Sequence, residues 1–431
     1  MKKLLLLVFL AFLTVSCTVD NPTYSATSVQ NDNYHNDFPE IINIDDALNN
    51  LNNFLISSDM TLTKSGENRK IASIETHYSK IIIPKSGETI PDAYIINFEG
   101  NCGFAVLGAN SSVAPVVAVT ESGFLEKGFL DTEDVNNSIT YDVNDNEIDL
   151  SNFDFYSKEY DDYYVMTGDD DNYTRYKQQT LRAMIDAALH GGGDDGYRHA
   201  IVEPMIKTKW DQGEWDAMDA YNQFCYKFTI TGQKKYVLAG CSTTAMAQLV
   251  AYNEFPTELY VLNTLVDLST INNIENANDN TISAKSAQDV GLLLGSIFHS
   301  VNPLFVWKAG TCITARQIEK CMELFGYTDV QRLCSNYFDH SLKDETSRML
   351  TEGKPVLLSA MHGINGHSWV IDGSCYFDDD WMLHCNWGWS GLYDGYYAED
   401  CFKPHNIQYD CHFRLITYSI PEYNMTTSIN F

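Results

Sequence analysis

Cys241 follows a glycine, between the apolar run Tyr236-Val-Leu-Ala239 and the small-residue run Ser242-Thr-Thr-Ala-Met-Ala-Gln248. That arrangement mounts a thiol at the N-terminus of a buried helix. Free peptide N–H groups and the helix dipole there favour thiolate over thiol. A thiolate is a nucleophile, whereas a cysteine in apolar surroundings is inert packing, and this segment alone fits both. A nucleophilic cysteine needs a base, usually histidine. His367 opens the apolar strand His367-Ser-Trp-Val-Ile-Asp-Gly373 after the loop Gly363-Ile-Asn-Gly366, which leaves it at the end of a sheet. His384 alternates with apolar neighbours and reads as a core residue. His340, His362, His405 and His412 have no flanking pattern.

An imidazole base must be oriented by a third group. Asn386-Trp387-Gly388-Trp389-Ser390-Gly391 offers a side-chain carbonyl on Asn386 and apolar shields in Trp387 and Trp389. The same residues also read as a hairpin end that only packs. Acyl transfer further needs donors for an oxyanion. The backbone N–H of Cys241 is one. Gln212, in Lys209-Trp-Asp-Gln-Gly213, supplies a second unless it is only a surface loop residue.

The surrounding elements must place these groups. Residues 41–56 have apolar residues at helical spacing, with Asp45 and Asp46 suited to a first turn. Short β-branched runs at 80–84, 93–98, 103–107 and 116–119 predict a small sheet packed on that helix. Residues 151–172 are acidic and tyrosine-rich, with Asp169-Asp-Asp171, and read as a solvated loop rather than a calcium site. A helix over 173–190 stops at Gly191-Gly-Gly-Asp-Asp-Gly196, the clearest linker in the chain and a natural site for proteolytic nicking. Beyond it, helices are predicted at 241–252, 287–298 and 313–325. Strands follow at 355–359, 367–371, 381–385, 395–398 and 412–417. Helices followed by an antiparallel sheet make an α+β unit with a cleft between its halves.

The 431 residues are 44% hydrophobic and 20% charged, which is globular, with room for two or three domains. A net charge of −30 without a basic stripe excludes nucleic acid as a partner. Lys2-Lys3 followed by the apolar Leu4–Val15 predicts a signal peptide over 1–16. Ser16-Cys17 fits a bacterial lipoprotein signal in which Cys17 is lipidated, or an ordinary cleaved signal. The expected location is secreted or lipid-anchored at the cell surface, with the membrane touched only through that N-terminal lipid. Residues 17–40 are polar and read as a disordered tether. The eleven cysteines form no Cys-x-x-Cys pair and no Cys/His cluster at zinc spacing, so neither a metal nor another cofactor is expected. Disulfides are permitted in an exported chain, and Cys375 with Cys385, flanking Asp378-Asp-Asp380, is one candidate pair.

The chain resembles the streptopain family of papain-like cysteine peptidases, secreted bacterial zymogens. The matching pieces are Trp210-Asp-Gln212, Tyr221-Asn222, Gly240-Cys241 through Ala247-Gln248, Pro355-Val356, Gly366-His367-Ser-Trp-Val-Ile-Asp-Gly373, and Asn386-Trp-Gly-Trp-Ser-Gly391 with Asp394-Gly395. They occur in family order across 200–420. His367 also lies downstream of Cys241 by close to the ~130 residues that separate base and nucleophile in papain-like enzymes. Gly103-Phe-Ala-Val-Leu-Gly108 and Pro115-Val-Val-Ala-Val119 resemble the family's propeptide. The resemblance implies an inhibitory prodomain over 41–190, an activation linker over 191–199 and a papain-like protease domain over 200–431. It implies Cys241 as nucleophile, His367 as base and Gln212 in the oxyanion hole. For the group that faces the imidazole, the resemblance leaves two candidates, the backbone around Trp387 and the Asn386 side chain. Cys241 and His367 would rest as thiolate and imidazolium, and the partners would be protein or peptide substrates and the chain's own prodomain. His362 in the loop before His367, and Ser359-Ala360 in place of the Gln-Gly of streptopain, depart from the family. A transglutaminase-type Cys–His acyltransferase and a catalytically silent surface lipoprotein are the alternatives.

Overall fold

Polar caps and apolar stripes define the elements of the computed structural model. It describes residues 40–127 (without 64–65, 83–88 and 112), 140–141, 147–148 and 199–431 (without 215–216, 231–232, 304, 308–309, 363–364, 379, 400 and 405–407). The expected signal peptide with Cys17, the tether up to residue 39, the acidic segment, the helix over 173–190 and all of the linker but His199 therefore lie outside the described residues.

Helix α1 (Ile44–Ser57) starts where Asn43 Oδ1 accepts from Asp46 N–H, and it buries Ala47, Leu51, Phe54 and Leu55. Burying one such large side chain is worth about 2 kcal/mol. The helix packs on β3 (Phe104–Gly108) and β4 (Val116–Thr120). These strands follow β1 (Ile71–Ile82) and β2 (Thr89–Phe98) in an antiparallel meander. Short pairs are formed by β5 (Thr140–Tyr141) with β6 (Glu147–Ile148) and by β7 (Lys227–Ile230) with β8 (Gln233–Tyr236).

The chain then enters helix α2 (Cys241–Asn253), whose residues Ser242–Ala251 are all buried. Around it lie β9 (Glu258–Val261), β10 (Thr264–Val266), α3 (Leu268–Ile271), α4 (Ala284–Val301), β11 (Phe305–Trp307), β12 (Gly310–Cys312) and α5 (Ala315–Phe325). Next come β13 (Thr328–Ser335), α6 (His340–Thr351), β14 (Val356–His362), β15 (Asn365–Phe377), β16 (Asp380–Asn386), β17 (Gly395–Ala398), β18 (Cys411–Ser419) and β19 (Thr426–Ile429).

The fold is α+β, as the element pattern predicts. Its main sheet runs β1-β2-β3-β4-β17-β16-β15-β14-β18-β13, with every neighbouring pair antiparallel. The N-terminal meander thus joins the C-terminal sheet edge to edge: Gly395 pairs with Thr120, Tyr396 with Val119 and Tyr397 with Ala118. Phe54 of α1 also meets Phe377 and Tyr396 edge to face at 5.5 and 5.9 Å. The described residues form one compact unit.

The Cys375–Cys385 disulfide does not form. Cys375 pairs in register with Met382 and Cys385 with Ile371, so the two are never opposite each other, and both are free. Strand register, rather than closeness in sequence, decides which side chains meet. Among the described residues no cluster of His, Cys, Asp and Glu could hold a metal, and no helix is long and apolar enough to cross a membrane.

Candidate active site

Gly240, at φ +91°, caps α2, and Cys241 is its first residue. No acidic side chain occupies the first turn, so the positive helix end is not offset. The Cys241 sulfur is held by Ser242 and by the backbone and hydroxyl of Ser368, contacts that favour thiolate. Burial outweighs them and pushes the thiol up from its ordinary value. A bond of 2.8 Å between Ser242 Oγ and Ser368 Oγ ties the start of α2 to β15, and Ser359 Oγ lies 2.8 Å from the same Ser368 oxygen.

Ser368 is next to His367, and side chains alternate along a strand. Ser368 therefore faces the helix, while the His367 ring lies on the other face of β15. There it meets Trp389 at 4.6 Å, Tyr409 at 5.5 Å, Trp387 at 5.9 Å and Trp369 at 6.3 Å between ring centres. His367 Nε2 lies 2.9 Å from Trp387 O. A carbonyl only accepts, so Nε2 carries the hydrogen and Nδ1 is left as the basic nitrogen. Burial pulls the imidazole down to about 4, although its bond to Trp387 opposes the shift. Among the described residues no hydrogen bond joins Cys241 to His367. Burial raises the thiol and lowers the imidazole, a direction that runs against the expected thiolate–imidazolium pair. Two charges cannot persist where both are desolvated and neither touches the other.

The neighbouring groups are placed by backbone pairing. Gln212 O accepts from Ala239 N–H at 2.7 Å, which sets Gln212 beside the start of α2. Trp387 and Trp389 flank His367. Asn386 does not orient the imidazole: its Oδ1 accepts from Gln248 Nε2 and Gly388 N–H, and its Nδ2 donates to Thr208 O. The Trp387 carbonyl takes that place, and Asp394 Oδ1 accepts from Trp387 N–H at 2.8 Å.

Sequence reading passes over Ser368, Asp394, Gln248 and Tyr409 as site residues. Only Gln248 carried a signal there, as the one polar side chain in the apolar run Ala245–Ala251, seven positions after Cys241 and hence on the same face. His384 is buried, as expected of a core residue, but it is charged. Its Nδ1 lies 2.6 Å from Asp372 Oδ1, and its Nε2 lies 3.5 Å from Glu121 Oε1. Burial alone would depress it, but the two carboxylates push it up to about 10. The departing residue His362 pairs with Asp410 at 3.2 Å.

Residues 215–397 match the Peptidase C10 family, a span that holds Cys241, His367 and Asn386–Trp389 and begins after Gln212. Streptopain of Streptococcus pyogenes serotype M28 (strain MGAS6180) is 25% identical over 253 residues, 53% of this chain and 58% of streptopain. The chain thus spans little more than half the length of the streptopains it matches. The thiol protease/hemagglutinin PrtT of Porphyromonas gingivalis is 24% identical over 231 residues, 48% of this chain and 25% of that protein. Among solved structures, a fragment of Prevotella intermedia prointerpain A is 18% identical and gives a TM-score of 0.49 over 81% of this chain and 100% of that one. The resemblance to the streptopain family is borne out by the family and sequence matches.

Proposed function

We propose that this chain, which resembles the streptopain family, is an exported cysteine endopeptidase made as a zymogen, with Cys241 as nucleophile and His367 as base. The observation that carries the reading is the Ser242–Ser368 bond, which fixes the start of the nucleophile's helix against the strand that bears the base. In the reaction, for which processing must first bring the His367 ring within reach of Cys241, its Nδ1 takes the Cys241 proton as sulfur bonds to the substrate's carbonyl carbon. The oxyanion accepts from Cys241 N–H and the Gln212 side chain. Protonated His367 then gives its proton to the leaving amine as the C–N bond breaks. Water, deprotonated by His367, releases the acyl group and restores the thiol.

The resting geometry supports the zymogen reading. Nucleophile and base are neutral and unbonded while the N-terminal meander pairs with β17. Activation would follow a cut near the linker, between about residues 190 and 203, because exposed glycine-rich segments are readily nicked. The N-terminal part of that window is favoured by the pairing of residues 200–202 within it. Ala200 N–H donates to Ser347 Oγ, and Val202 and Ser374 exchange backbone bonds of 2.8 and 2.7 Å. Lipidation at Cys17 and release of the N-terminal unit belong to the same proposal.

Cys241→Ala should abolish both casein hydrolysis and self-processing while the thermal transition is retained. Casein cleavage by the purified variant at the wild-type rate would refute the assignment. N-terminal sequencing of the processed chain tests the cut, and a start before residue 150 or after residue 212 is incompatible with it.

A further inference from the structure

We propose that Gln248 is a positioning residue for the Cys241–His367 reaction, a side chain that ties the three segments of the site together. The inference rests on the peptidase reading for its role and on geometry for its identity. Gln248 lies two turns after Cys241 on α2 and is fully buried. Its Oε1 accepts from Thr208 Oγ1 at 3.1 Å and from Trp210 N–H at 3.3 Å, on the segment that leads to Gln212. Its Nε2 donates to Asn386 Oδ1 at 3.0 Å. Asn386 closes the circuit by donating to Thr208 O at 2.8 Å and accepting from Gly388 N–H at 3.2 Å, so the residues on both sides of Trp387 are held. Trp387 O is the atom that fixes the His367 ring.

The chemistry of the side chain is specific. One end must accept twice and the other must donate, at the reach of two methylenes, and only an amide does both. Glutamate keeps the length but presents an acceptor to the Asn386 oxygen. Methionine keeps the shape but leaves Thr208 Oγ1 and Trp210 N–H unpaired and removes one of the two donors to Asn386 Oδ1. Thr208, Trp210 and Asn386 are all buried at 3% exposure or less, so water cannot replace the lost bonds. A misplaced Trp387 carbonyl would misdirect His367 relative to Cys241, and small errors in such alignment cost rate rather than binding.

The test uses the full chain with Gln248→Met, Gln248→Glu, the milder Thr208→Val, and the Gln248→Met/Thr208→Val double variant. Kinetics are normalised to reactive Cys241, counted by mass spectrometry of its alkylated peptide. Expected is a fall in kcat of roughly tenfold or more for Gln248→Met and Gln248→Glu at nearly unchanged KM, a fall of a few-fold for Thr208→Val, and a double variant no worse than Gln248→Met alone, as one network requires. A kcat within about twofold of wild type, a rise in KM alone, or effects that multiply would overturn the proposal. If the Gln248 variants do not fold, Thr208→Val decides it: a reduced kcat supports the proposal and a wild-type kcat overturns it. If the wild-type chain hydrolyses no protein substrate, the peptidase reading fails separately. The pH profile of Cys241 alkylation by iodoacetamide then remains as readout, with a shift in Gln248→Met expected and an unchanged profile contrary.

Discussion

His367 gives its Nε2 hydrogen to a carbonyl, so one nitrogen, Nδ1, is left to take the thiol proton. Burial holds that ring at about 4 and the Cys241 thiol above its ordinary 9.0. At neutral pH the unprocessed chain therefore carries a thiol and a neutral imidazole. Iodoacetamide should label Cys241 of the full chain slowly at pH 7, with a rise only above pH 9, while the processed chain labels readily at pH 7. Equal rates at pH 7 would show that the resting pair is already ionised. The depressed imidazole also has a stability consequence. The unfolded chain binds a proton to His367 below its ordinary 6.5 and the folded chain does not until about 4. His367 thus leaves folding unopposed above pH 6.5 and costs stability as pH falls from 6.5 towards 4.

At the scale of elements, α2 presents Cys241, Thr244 and Gln248 along one face, and the two loops of the site dock on it. Thr244 Oγ1 reaches Asp211 O at 3.2 Å, while Gly388 lies where a Cβ would come within 3.2 Å of Thr244 Cγ2. Gly388 also has φ +69°, a region that costs other residues roughly 1–2 kcal/mol. Gly388→Ala should lower the thermal midpoint and push the Trp387 loop off the helix. The expected result is a larger loss in kcat than in KM, and wild-type kinetics would contradict this docking role. The elements themselves were legible wherever local pattern is strong. Helix α2 and strands β14, β16, β17 and β18 follow their apolar runs to within a few residues, while β15 continues six residues past its expected end. Helix α6 and strand β13 were not, because half-polar segments such as His340–Thr351 and Thr328–Ser335 declare themselves only through the surfaces they pack on.

At the scale of the whole molecule, the N-terminal meander is joined to the catalytic part by a strand pairing and a charge cluster. Glu121 follows β4 and faces His384 and Lys209, His384 is held in turn by Asp372, and Asp394 is buried beside them. Ser122 Oγ donates to Gly391 O at 2.5 Å and Glu121 N–H to Asp394 O at 2.7 Å, so the seam touches the loop that carries Trp387. Glu121 is held well below its ordinary 4.5: burial opposes this, and His384 and Lys209 more than offset it. Its contribution is present above pH 4.5 and is lost as pH falls towards its folded value. His384 is raised, so its contribution is complete below 6.5 and is lost as pH rises towards about 10. Glu121→Gln should therefore lower stability most between about pH 4.5 and 6.5, with the deficit shrinking above 6.5. Thermal unfolding of both chains across pH 4–10 measures it, and a deficit that does not vary with pH would place the seam's strength in the strand pairing alone.

The sequence by itself determined the chemistry available. A cysteine after a glycine at a helix start, a histidine opening an apolar strand and a Trp-rich turn are local patterns, set by capping and periodicity, that named Cys241, His367 and Trp387 as candidates, and the ordered resemblance to the streptopain family set them above a packing role. Only the tertiary structure decided which atoms meet. Alternation along β15 turns Ser368 rather than His367 to the helix, and the pairing of β15 with β16 turns Asn386 to Gln248 and keeps Cys375 from Cys385. The seam joins Ser122 to Gly391 across 269 residues. Such contacts come from strand register, which is fixed by burial on both faces of a sheet assembled from distant parts of the chain, and no local run of residues encodes it.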